Sequence, residues 1–142
     1  MIRTLEVGGF AVNYVKSVAV SPDGQTLVST QDDKTIKVWN LHTGELLHTL
    51  RGHSTVMFTH IPTIAISPDG QTIASGSDDK TIKVWNLHTG ELLRTLTGHS
   101  GPVRSVAIGP DGQTIASGSG DKTIKVWNLH TGELLLMVRS FS

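Results

Sequence analysis

The sequence predicts an all-β chain of three successive four-stranded antiparallel sheets, with no helix. Three observations carry this. One stretch occurs three times almost unchanged: STQDDKTIKVWNLHTGELL from Ser29, SGSDDKTIKVWNLHTGELL from Ser75 and SGSGDKTIKVWNLHTGELL from Ser117. The tryptophans mark a period, with 46 residues from Trp39 to Trp85 and 42 from Trp85 to Trp127. Self-similarity at such a period is the signature of a repeat architecture. Each period also breaks into short apolar and β-branched runs divided by turn residues.

The elements follow in order. In the last copy the runs are VRSVAIG, QTIASGS, KTIKVWN and ELLLMVRS. PDG at Pro110–Gly112, GD at Gly120–Asp121 and HTGE at His130–Glu133 separate them, and Gly and Asp supply the backbone shapes of tight turns. The runs are too short, and too often broken by Gly, to be helices. The same division places the repeat units at about 15–50, 61–97 and 103–142 of a single domain spanning 1–142. MIRTLEV, Met1–Val7, echoes RTLTG at Arg94–Gly98 and is a candidate extra outer strand. Within the third strand, Ile82 and Val84 point to one face and Trp85 to the other. Both faces are therefore apolar, and a neighbouring copy is the natural cover. Radial stacking of such sheets gives a β-propeller.

GH at Gly52–His53 and Gly98–His99, SPDG at Ser21–Gly24 and Ser67–Gly70, and KTIKVWN resemble the WD40 repeat over nearly the whole chain. Trp-Asn stands where that family usually has Trp-Asp. The repeats are similar to those of multi-repeat WD40 proteins of bacteria, notably cyanobacteria, and their near identity implies recent duplication or design. The resemblance implies a hydrogen-bonded tetrad in each blade, running from Trp to Ser to His to Asp. One tetrad is Trp85, Ser75, His53 and Asp79; another is Trp127, Ser117, His99 and Asp121. The first copy has Ser29, Asp33 and Trp39, but Gly9 where the His is expected, so its blade is expected to be the softest. Ser, His and Asp also invite a hydrolase reading, which needs an exposed hydroxyl, a base beside it and an oxyanion hole. A constellation repeated in every blade reads instead as architecture, so no catalytic residue and no cofactor are expected. His42, His88 and His130 sit one per blade in the LHTGE turns, too far apart to converge on a metal.

Composition excludes several classes. Twelve basic and twelve acidic residues cancel, which argues against nucleic acid as a partner. There is no cysteine. No apolar run approaches membrane-spanning length, and the start lacks a signal-peptide layout, so a cytoplasmic location is expected.

Propellers have about four to eight blades, so three copies cannot close a ring. Homo-oligomerisation is expected, a dimer of six blades before a trimer of nine. Met1–Val7 and Glu133–Ser142 compete for one outer edge, which the sequence leaves open. The copies differ most ahead of their innermost strands, where the second reads STVMFTHIPTI, four residues longer than the third. Met57, Phe58 and His60, with Phe10, Asn13 and Tyr14, are candidates for a contact surface, since aromatics and Met are enriched in interface cores; the alternative is that the expanded loop fills the channel or pads a subunit joint. Asp32 and Asp78, with Gly120 in the third copy, vary at the turn between the second and third strands. The expected function is a non-enzymatic protein–protein interaction scaffold; the alternative is a structural self-assembling fragment with no dedicated partner.

Overall fold

A computed structural model describes residues 15–31, 33–53 and 60–139. The first sheet is β1 (Val15–Val20), β2 (Thr26–Gln31), β3 (Ile36–Asn40) and β4 (Leu46–Leu50). The second is β5 (Thr63–Ile66), β6 (Thr72–Gly76), β7 (Ile82–Asn86) and β8 (Leu92–Leu96). The third is β9 (Val103–Ile108), β10 (Thr114–Ser119), β11 (Thr123–Asn128) and β12 (Leu134–Arg139). Each is an antiparallel meander in sequence order, as the repeat predicts. β12 pairs with β11, so the C-terminal segment completes the third sheet within the chain. The competing Met1–Val7 lies outside the described residues.

Local chemistry explains the turns. Asp23 Oδ1 accepts from the Ser21 hydroxyl at 2.6 Å and from the Gln25 N–H at 3.0 Å, closing the β1–β2 turn. Asn40 Oδ1 accepts the N–H groups of His42 and Thr43 at 2.8 and 3.0 Å, and Gly44 follows at φ 77°. The Asn after each Trp is therefore the side chain that folds the next turn, because a short amide oxygen can stand in for a backbone acceptor. Lys34, Lys80 and Lys122 hold positive φ in the β2–β3, β6–β7 and β10–β11 turns, a conformation uncommon outside Gly, Asn and Asp. Asp33, Asp79 and Asp121 precede them and accept the N–H two residues on, at 2.9–3.1 Å. A register shift recurs at Trp39, Trp85 and Trp127, where the outer strand carries one extra residue.

The core lies between sheets rather than within one. Trp85 and Leu87 of the second sheet pack with Val28, Ile36, Val38 and Leu50 of the first. Trp127 and Leu129 of the third pack with Ala74, Ile82, Val84 and Leu96 of the second. Trp85 and Trp127 thus each face the preceding sheet. Backbone bonds add to the second joint, with Val103 N–H donating to the Ser77 carbonyl at 3.0 Å. A Cβ placed on Gly76 would lie 2.6 Å from Val103 Cγ1, so the close approach of the third sheet requires glycine there. No helix among the described residues is long and apolar enough to cross a membrane.

Candidate functional site

Two tetrads are assembled from strands and connections that the fold brings together. In the second sheet, Trp85 Nε1–H donates to Ser75 Oγ at 2.9 Å. His53 Nε2 lies 2.6 Å from the same oxygen, and His53 Nδ1 lies 3.0 Å from Asp79 Oδ2. In the third sheet the corresponding distances are 2.9 Å for Trp127 to Ser117, 2.7 Å for His99 to Ser117 and 2.8 Å for His99 to Asp121. Carboxylates accept only, so each His carries its proton on Nδ1 toward the Asp and offers Nε2 to the Ser hydroxyl. Thr81 and Thr123 hydroxyls bond the other carboxylate oxygen. Burial raises the Asp121 pKa. The Thr123 hydroxyl, His99 and the N–H groups of Ser100 and Thr123 outweigh it and hold the carboxyl far below its usual range.

This is the atom order of a hydrolytic triad, yet it lacks what hydrolysis needs. Ser75 and Ser117 are buried, and the indole N–H already donates to each hydroxyl oxygen. A cleft of about 460 Å³ opens beside the tetrad of the third sheet, lined by Gly98, Ser100, Asp121, Lys122, Lys125 and Arg139 among others, but not by Ser117. It reaches the carboxylate end, where the oxygens are already bonded. The arrangement ties β10, β11, their turn and the connection from β8 to β9 into one unit.

The first sheet differs. Trp39 donates to Ser29 at 3.0 Å, but the third partner is Gln31, whose Nε2 donates to Ser29 Oγ at 2.7 Å. Asp33 turns to Lys37 Nζ at 2.9 Å. Gln31 is a member that motif reading misses, because the repeat has Ser77 and Ser119 there. The signal was present all the same: residues two apart on a strand share a face. Thr30 Oγ1 and Gln31 Oε1 are buried with no hydrogen-bond partner among the described residues.

Of the contact-surface candidates, Phe10, Asn13, Tyr14, Asp32, Met57 and Phe58 lie outside the described residues. His60 and Asp78 are half-buried neighbours, the Asp78 N–H donating to the His60 carbonyl at 2.9 Å. Gly120 N–H donates to the Pro102 carbonyl in the same way, so His60 is the counterpart of Pro102. The four surplus residues of the second copy therefore precede His60. His42, His88 and His130 are exposed in separate turns, and no group of three or more metal-ligating side chains converges among the described residues.

The outermost faces complete the geometry. Ile36 and Ile82 are 0 % exposed beneath the following sheet, whereas their counterpart Ile124 on the third sheet is 51 % exposed. On the other side, Ile64 and Val106 are 8 % exposed, and their counterpart Val18 on the first sheet is 59 % exposed. Leu136, Val138 and Val20 are likewise exposed.

Comparison with known proteins agrees with this architecture. Residues 3–40, 44–86 and 90–128 match the model of the WD domain, G-beta repeat. The chain is similar to a solved structure titled "Structure of U3-55K", with a TM-score of 0.88 and 28 % identity, covering 97 % of this chain and 42 % of that one. It is equally similar to "Crystal structure of RRP9 WD40 repeats", with a TM-score of 0.88 and 29 % identity over 97 % of this chain and 41 % of that one. A 44-residue window is 43 % identical to the Ribosome biogenesis protein BOP1 homolog of Drosophila mojavensis, and spans 31 % of this chain but 6 % of that protein. The chain thus spans less than half of each of these relatives.

Proposed function

The chain belongs to the family of WD40 repeats, and from that premise we propose that it is a non-enzymatic protein-interaction scaffold completed into a closed propeller by further copies of itself. One observation carries the reading: Ile124, the counterpart of two fully buried isoleucines, is half exposed on the last sheet. At about 25 cal/mol per Å² of apolar area, leaving such faces in water is costly, and covering them favours association. Two chains would supply six blades, three chains nine. The positions at which the repeats depart from one another, Phe10, Asn13, Tyr14, Met57, Phe58 and His60 with the turn residues Asp32 and Asp78, are the proposed places for partner contacts.

Light scattering on the full chain tests the reading. The expected mass is twice the 15.2 kDa of one chain, or three times it. Ile124→Lys should lower the mass to that of one chain while leaving the β-sheet circular dichroism intact, since the side chain is already half in water. A compact wild-type monomer at micromolar concentration would overturn self-completion and leave the scaffold assignment to the family alone.

A further inference from the structure

We propose that a second copy docks its first sheet onto the third sheet of this one, head to tail, in the register of the two joints inside the chain. This rests on the self-association reading above and adds its polarity and its residue pairs.

The two internal joints share the Pro–Gly and Leu–Gly contacts and the Asp–His cleft, and the first adds a histidine bond. Pro22 Cδ lies 3.9 Å from the Cβ position of Gly70, and Pro68 Cδ lies 3.9 Å from that of Gly112. Gly90 seats against Leu50, and Gly132 against Leu96, each at 3.1 Å from a leucine methyl. His48 Nε2 bonds the His88 carbonyl at 2.7 Å across the first joint. Asp23 and His88 line one cleft between sheets, and Asp69 and His130 line the next. Every one of these contacts joins the first turn or the outer strand of one sheet to the turns of the sheet that follows.

The half-contacts left over match. On the third sheet they are Pro110, Asp111 and the exposed Val138, counterparts of Pro22, Asp23 and Leu50. On the first sheet they are Gly24, which has nothing within 4 Å of its Cβ position among the described residues, and His42, the counterpart of His88. Leu41 is only half-buried, although its counterparts Leu87 and Leu129 are buried in the joints. Gly118 also has nothing within 4 Å among the described residues, where the equivalent Gly76 is closely covered. The outer faces of the first and third sheets therefore carry the two halves of one joint, and a second copy would bring the missing half to each. Two like faces meeting would place proline against proline and histidine against histidine, reproducing none of these pairs. A head-to-tail contact of this kind closes into a ring when its rotation suits.

Polarity is tested by complementation. Ile124→Lys spoils the trailing face and Val18→Lys the leading face, each at an already exposed position. Each variant alone should run as a monomer, and an equimolar mixture should recover a species of twice the mass, because one intact leading face meets one intact trailing face. If only one of the two variants loses its oligomer, like faces meet and the polarity is wrong, though self-association stands. If the wild-type chain is itself monomeric, both readings fall.

Register is tested in the cysteine-free background with a short bifunctional thiol reagent. Asp111→Cys with His42→Cys should give a covalent dimer or trimer on a denaturing gel. Asp111→Cys alone should give none. Asp23→Cys with His88→Cys, the equivalent pair inside one chain, should cross-link at unchanged chain number. A complementing oligomer that resists the Asp111/His42 cross-link while the internal pair reacts would overturn the register and leave the polarity.

Discussion

The second sheet and the first carry the same Thr-Ile-Lys-Val-Trp-Asn strand, yet they complete the bonding around their serine by different means. Ser75 takes His53 from the connection that enters the blade, so its network ties two sheets' worth of chain together. Ser29 takes Gln31 from its own strand, so its network is local. The Trp–Ser bond is common to all three sheets at 2.9–3.0 Å. What varies is whether the third partner reaches across the fold. A long-range partner makes local order depend on tertiary structure, so the comparison concerns cooperativity as well as stability.

The strongest way to break the comparison is to remove the indoles. Trp85→Ala should cost about 3–5 kcal/mol in denaturant unfolding, as large core truncations do. Trp85 sits in the cluster between sheets, and the Cβ position of Gly52 lies 2.8 Å from its ring. Trp39 is buried but belongs to neither hydrophobic cluster among the described residues, so Trp39→Ala should cost less. Equal losses would mean that the inter-sheet cluster contributes little.

Acid comes next. The Asp121 carboxyl has a lower pKa in the fold than the 3.8 of the free side chain. Its contribution to stability is therefore complete above that value and is lost as pH falls below it toward the folded pKa. Asp33 is also lowered: burial raises it, and the Thr35 hydroxyl and Lys37 more than offset that. Asp33 is a third exposed, whereas Asp121 is almost enclosed. Asp121→Asn should flatten the acid limb of a melting-temperature profile more than Asp33→Asn does.

The serines give a smaller and more diagnostic effect. Ser117→Ala leaves the Trp127 N–H and His99 Nε2 without their partner, at a cost of about 1–3 kcal/mol. Ser29→Ala strands the Trp39 N–H and a more adjustable amide, and should cost less. A catalytic triad would instead give an unchanged melt with loss of esterase activity in the Ser117 variant.

Much of this architecture is legible in the sequence alone. Period, turn residues and two-faced strands were enough to place twelve strands, because each depends on neighbours in sequence. The tetrads of the second and third sheets were readable only through the family's motif, since His53 and Asp79 are 26 residues apart. Gln31 escaped because it fills a position where the other copies have serine, and its role depends on a contact rather than on a pattern. The surplus of the second copy was visible as length. Its place depends on a contact, the His60 carbonyl holding the Asp78 N–H as Pro102 holds Gly120. The matching of the two end faces was hidden for the same reason: it is a property of counterpart positions in space, such as Gly24 and Gly70, whose sequences are identical and whose surroundings are not.

The smallest effect sharpens the comparison most, because its sign is opposite to the others. Thr30 replaces the glycine found at Gly76 and Gly118, and its hydroxyl is buried with no partner among the described residues. A buried hydroxyl that makes no bond loses its hydration without return. Valine has the same branched shape and fits a strand equally well, so Thr30→Val removes the polar atom and leaves the packing. The variant should be more stable by about 1 kcal/mol in denaturant unfolding. Such a gain would trace part of the lower stability expected of the first sheet to Thr30 as well as to the absent His position. Gln31→Ser, the residue of the other two copies, should do the reverse, since it removes a donor to Ser29 without supplying the distant His. If Thr30→Val destabilises the chain instead, the hydroxyl has a partner in solution and the first sheet's network extends beyond Trp39, Ser29 and Gln31.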